Sequence, residues 1–132
     1  LKITVDTNLL LRVLTEDHPQ QTEQAKAALS VADSVVAPTM TICETVWVLK
    51  SSHGLSAPEI AQIIRSVVGN PEITVDHAPV RAGLIALDED GDFADGVIAY
   101  EGRRLGGEVF TSFDRKAVKL LQVRGMRAHL LH

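Results

Sequence analysis

Residues 91–114 read "GDFADGVIAYEGRRLGGEVFTSFD", and this stretch decides the fold. The residues from Asp92 to Gly107 have the composition of a helix, with Asp92 as a favoured N-terminal cap and Gly106-Gly107 as the stop. "EVFTSF" then reads as a strand at 108–113, and Asp114 follows as the start of another helix. A helix that precedes a parallel strand runs back across the sheet. Its first turn therefore lies at the carboxyl edge, which places Asp92, Asp95 and Asp114 on one edge.

The rest of the chain repeats this alternation. Strands are expected at "KITVD" (2–6), "DSVVAP" (33–38), "EITVD" (72–76) and "MRAHLL" (126–131). Helices are expected at 8–17, 18–32, 39–54, 56–70, 77–91 and 114–125. Asn8 is the expected cap of the first helix, which leaves Asp6 free. Ser56 and Glu59 form a capping-box pattern, with Pro58 early in the helix. Strands joined by helical crossovers predict an α/β fold with a mostly parallel sheet. Ligands of such sheets bind outside the carboxyl ends of the strands, and Asp6 ends the first strand.

Composition narrows the function. A chain of 132 residues is read as one domain, 1–132, large enough to bury a core without staples. Cys43 is the only cysteine, so no internal disulfide forms; a reducing, cytoplasmic setting fits. Its mid-helix place among apolar neighbours favours packing over nucleophilic chemistry. No apolar run is long enough to span a bilayer, and "LKITVDTN" is not read as a signal peptide. Residues 1–102 carry 6 Lys and Arg against 15 Asp and Glu, whereas 103–132 carry 7 against 2. An acidic body with a basic end suits a polyanionic ligand, or is only a solvated charged helix.

Glu44 falls among Met40, Thr41, Trp47 and Val48 on its helix face, a mostly apolar stripe in which a carboxylate is costly unless paired or bound to metal. Asp6, Glu44, Asp95 and Asp114 come from four segments that the topology sends to one edge. Crowded carboxylates repel unless a cation neutralises them. Hard oxygen donors without thiolate or imidazole favour Mg²⁺ or Mn²⁺. His18, His53, His77, His129 and His132 show no zinc-like spacing, and no nucleophile elbow or P-loop is present. Each acid also has a plainer reading: Asp6 in a capping turn, Asp92 and Asp114 as caps, Asp95 as favourable first-turn charge, Glu44 in an ion pair. A carboxylate-bound Mg²⁺ commonly handles phosphoryl oxygens, and Arg103, Arg104, Arg115 or Lys116 could hold flanking phosphates.

With these residues in view, "VDTNLLLRVL" (5–14), "TICETVWVL" (41–49), "DFADGVIAYEGRRLGG" (92–107) and "VFTSFDRKAVKL" (109–120) resemble a PIN-domain ribonuclease of the VapC toxin kind. The resemblance implies a three-layer α/β/α sandwich and an Mg²⁺- or Mn²⁺-dependent endoribonuclease. It implies Asp6, Glu44 and Asp95 as the metal-binding acids, with Asp114 as the fourth. It further implies attack by metal-activated water that leaves a 5′-phosphate and a 3′-hydroxyl, a homodimer, and a VapB-like antitoxin whose tail blocks the acidic cleft. Thr7, Asn8 and Thr111 are candidates to support the acids. Two departures stand out. Thr111 and Asp114 are one residue further apart than in the most frequent pattern, and Gly96 stands where Ala is more usual. Two competing classes are a receiver-like signalling module with an acidic Mg²⁺ pocket and a non-catalytic interaction domain whose acids hold a partner's Arg. The receiver class wants paired acids after the first strand and a late Lys, and no Lys follows Lys119.

Overall fold

The computed structural model describes all residues from Leu1 to His132. The elements run β1 (Lys2–Thr4), α1 (Thr7–Thr15), α2 (Pro19–Val31), β2 (Ser34–Val36), α3 (Thr39–Ser51), α4 (Ala57–Gly69), β3 (Ile73–Thr74), α5 (His77–Asp88), α6 (Phe93–Arg104), β4 (Phe110–Ser112), α7 (Arg115–Val123) and β5 (Ala128–Leu130). This is the order of strands and helices expected from the sequence, and every strand pairing is parallel. The strands are shorter than expected, two or three residues each.

Two compact units divide the chain, Leu1–His77 and Ala78–His132. In the first, β2 lies between β1 and β3, with Ile3 opposite Val35 and Val35 opposite Ile73. Leu10 and Leu11 of α1, Ile42 and Leu49 of α3, and Ile60 and Ile64 of α4 are buried. Local signals set the helix ends. Ser56 and Glu59 form the expected capping box on α4. The His18 ring Nδ1 caps α2 by accepting from the Gln21 amide at 3.2 Å, with Pro19 opening the helix. Helix α1 stops at Thr15 rather than 17, because Glu16 adopts a left-handed backbone and its amide bonds the Arg12 carbonyl.

In the second unit β4 pairs with β5, Thr111 opposite His129, and α7 packs on both strands. Phe93 is the main anchor, at 1% exposure. Burying a phenyl ring stabilises by about 1.5–3 kcal/mol. Gly83 makes room for it: a methyl group there would lie 2.7 Å from the ring. Gly96 lets α6 lie against α5, since a Cβ at that position would stand 2.5 Å from the Ala82 carbonyl oxygen. Helix α6 runs unbroken through Gly96, and the space that glycine leaves is filled by a neighbouring helix.

Candidate functional site

The first unit carries Asp6 and Glu44 on adjoining elements. The chain turns sharply after β1, and Asp6, rather than Asn8, caps α1: its Oδ1 accepts from the Leu9 amide at 2.9 Å. The expectation that Asn8 would spare Asp6 this task is thus corrected, for helical geometry begins one residue earlier, at Thr7. A cap uses one carboxylate oxygen and leaves the second for another role. Glu44 sits in the second turn of α3, where the Thr7 hydroxyl donates to its Oε1 at 3.1 Å. Thr7 therefore does support an acid, as its position suggested. Buried Thr41 ties α3 to the end of β1 by donating to the Val5 carbonyl at 3.1 Å.

Glu44 does not sit in a buried stripe. It is exposed, and so are its helix-face neighbours Met40 and Trp47. Helix α3 turns Thr41, Ile42, Thr45, Val46 and Leu49 inward instead. The threonines at 41 and 45 carry the inward face because each hydroxyl bonds a carbonyl, Val5 and Thr41 respectively. The apolar character of the face around Glu44 thus belongs to the surface.

The second unit gathers Asp92, Asp95 and Asp114. Asp92 caps α6, accepting from the Asp95 amide at 3.2 Å. Asp114 caps α7, accepting from the Ala117 amide at 3.0 Å. Asp95 is half-buried, and its carboxyl is pushed above the ordinary aspartate value, first by burial and then by the charges of Asp92 and Asp114. Ionising Asp95 is therefore costlier than ionising a free aspartate, a cost that a nearby positive charge would offset. A small cavity of about 20 Å³ beside Asp92 and Asp95 is closed by Ala86, Leu120 and Leu121, with Arg124 on its wall. Ser112, which the sequence did not single out, accepts from the Asp114 amide at 2.9 Å. Thr111 does not take that part: its hydroxyl donates to the Val109 carbonyl at 3.3 Å.

The basic residues separate into two groups. Arg115 and Lys116 open α7 beside Asp114, where Lys116 also pairs with Asp90 at 3.5 Å. Arg103 and Arg104 close α6. At 1.5 Å per residue they lie about 12–14 Å along the axis from Asp95, too far to hold a phosphate that Asp95 also serves. Arg104 pairs with Glu101 at 3.5 Å.

All the candidate donors are carboxylates, a set that suits a hard divalent cation. The half-buried, charge-crowded Asp95 fits such an ion as well. No group of three or more His, Cys, Asp or Glu side chains is gathered tightly enough to hold a metal. No helix is long and apolar enough to cross a membrane.

No curated protein matches the chain in a sequence comparison. A family model for the PIN domain matches residues 3–121, which takes in β1 through most of α7 and all four candidate acids. PIN domains are in general nucleases that use divalent metal ions. Both the acids and the alternating α/β order fall within the matched span, and the chain belongs to the PIN domain family.

Proposed function

We propose that this chain is an Mg²⁺- or Mn²⁺-dependent endoribonuclease in which residues 1–132 act as one PIN domain. Asp6, Glu44, Asp95 and Asp114 would be its cation-holding acids. The observation that carries the reading is the half-buried Asp95, close enough to Asp92 and Asp114 for both to disfavour its charge. A bound divalent ion supplies the charge that lowers the pKa of water and offsets negative charge growing on a phosphodiester.

The chain's own residues have separate tasks. Asp6 and Asp95 would hold the ion directly. Glu44, oriented by Thr7, would hold it through water or align the attacking water. Asp114 would support a second ion or a water, and Asp92 remains the cap of α6. Arg115 and Lys116, at the start of α7, would meet an adjoining phosphate. The finer identity rests on the sequence resemblance: a VapC-type toxin, homodimeric and cytoplasmic, held in check by a VapB-like antitoxin that would offer an Arg to the carboxylates.

The test is an RNA cleavage assay with Mg²⁺ or Mn²⁺, with and without chelator. Cleavage should require the ion, disappear in Asp95→Asn, and survive in Asp92→Asn, because Asn also caps helices. A fully active Asp95→Asn protein defeats the assignment. Equal loss in both variants defeats the distinction between ligand and cap.

A further inference from the structure

We infer that the second unit carries a nucleotide-binding cleft of its own, in which Arg103 and Arg127 hold the phosphate. The cleft has a volume of about 780 Å³ and is walled by the last turns of α6, by residues 106–111, and by residues 125–127 between α7 and β5. Small-molecule sites span about 300–1,000 Å³ and set a few polar groups among apolar ones. Ile98, Phe110 and Met126 supply the apolar part of the wall, and Ile98 is 56% exposed. Arg103 and Arg127 are exposed as well, and neither is in an ion pair. Their neighbours differ: Arg104 pairs with Glu101 at 3.5 Å and Arg124 with Glu89 at 3.8 Å. Two guanidinium groups without a counter-charge thus share one cleft.

Gly102 keeps this cleft open to the detriment of its helix. It lies within α6, where glycine is less favourable than alanine. A Cβ added there would meet no atom within 4 Å, so packing gives no reason for the glycine. Ile98 and Gly102 are one turn apart on the face that lines the cleft, so an added methyl would project into it. The chemistry of the wall names the occupant. Guanidinium forks match phosphate oxygens. A bare phosphate would leave most of the volume empty and the apolar wall wet. A purine or pyrimidine ring covers that wall, and Phe110 offers it an aromatic partner. Glu108, the one acid on the wall, repels phosphate but accepts hydrogen bonds from ribose hydroxyls. Phosphate, ring and hydroxyls together describe a nucleotide, free or within an RNA strand. Arg103 stands about 12 Å along the α6 axis from Asp95, so the cleft is separate from the candidate acids and needs no cation.

The full-length chain is titrated in EDTA with adenosine 5′-monophosphate, adenosine and inorganic phosphate, and binding is read by calorimetry. The monophosphate should bind about tenfold or more tightly than either fragment. Arg103→Ala and Arg127→Ala should each weaken it about tenfold, the scale of losing a charged hydrogen bond, and both should keep the parent's melting temperature. Gly102→Ala should act in two directions at once. It should raise the melting temperature by about 2–4 °C and weaken the monophosphate by about threefold or more, because its methyl takes up ligand space. A 12-nucleotide single-stranded RNA is then added as competitor. Displacement of the monophosphate assigns the cleft to a nucleotide of a strand, and no displacement assigns it to a free nucleotide; both sustain the inference.

A monophosphate that binds no more tightly than inorganic phosphate, or that binds both arginine variants as tightly as the parent, overturns the inference. So does a glutamate-rich peptide that binds more tightly than the monophosphate and weakens with the same arginine substitutions, for the cleft then takes an acidic protein tail. A Gly102→Ala protein that gains stability and binds normally overturns the part given to the open helix face. None of these results bears on RNA cleavage at the carboxylates, which is measured separately.

Discussion

Replacing Gly96 with alanine sets two opposed effects against each other. Alanine favours a helix over glycine by about 0.8–1.0 kcal/mol, so on propensity alone the variant gains stability. Packing says the reverse. The new methyl would meet the Ala82 carbonyl oxygen at 2.5 Å and the Ala86 methyl at 2.8 Å. An ordinary carbon–oxygen contact is about 3.3–3.6 Å, so α6 must back away from α5 by about 1 Å. The obstacle is backbone and cannot swing aside. Overpacking of this kind costs about 1–3 kcal/mol. The net effect is a loss of about 1 kcal/mol, which for a chain of this length lowers the melting temperature by about 4 °C. Asp95 precedes Gly96 and moves with it, and a displacement of about 1 Å at a reacting centre can reduce rate by about 10²-fold. Circular dichroism melting and RNA cleavage measure the two effects. An alanine variant that melts at or above the parent temperature and cuts normally refutes the close-packing account of α5 and α6.

Other substitutions separate folding from function. Asp95→Asn should stabilise the free chain at neutral pH. The folded state holds the Asp95 proton more tightly than the unfolded chain does, so native stability falls as pH rises from the ordinary aspartate value of 3.8 towards the raised one. The variant should lose that segment of the pH–stability curve, as urea melts from pH 3 to 7 would reveal. Asp6→Asn should preserve the melting temperature, because Asn caps as well as Asp, whereas Asp6→Ala should cost about 0.5–2 kcal/mol; both should abolish cleavage. Glu44→Gln should leave stability within about 0.5 kcal/mol, since the side chain is exposed. Its cleavage should fall by about 10²-fold or more, the scale of losing one preorganised electrostatic contact.

The succession of strands and helices was legible in the sequence because its punctuation is local: Ser56 with Glu59, Pro19, and the Gly106-Gly107 stop each act within one turn. The close approach of Asp92, Asp95 and Asp114 was legible too, since a helix feeding a parallel strand must begin at that strand's carboxyl edge. Caps were harder to place. Asp6 and Asn8 are equally good caps, and only the backbone turn after Val5 chooses between them. The surroundings of Glu44, exposed rather than costly to a charge, were misread because helical spacing defines a face without saying which way it points. The inward face of α3 is made partly of threonines that satisfy themselves on carbonyls, so hydrophobicity alone pointed to the wrong side. Ser112 left no signal, because a single serine hydroxyl beside a cap resembles any strand end. Gly96 stood out only as a departure from the more usual Ala, because its neighbour Ala82 is fourteen positions earlier and invisible to local reading.

The proposed nuclease depends on Glu44 and Asp95 each helping to hold a divalent ion. Mn²⁺ affinity, followed by titration calorimetry or by the resonance of the free ion, tests this for the parent chain and for Glu44→Gln, Asp95→Asn and the double variant. Each single change should weaken Mn²⁺ binding, and the double change should weaken it at least as far as the more damaging single one. Undiminished Mn²⁺ binding in either single variant would contradict the ligand role given to that acid.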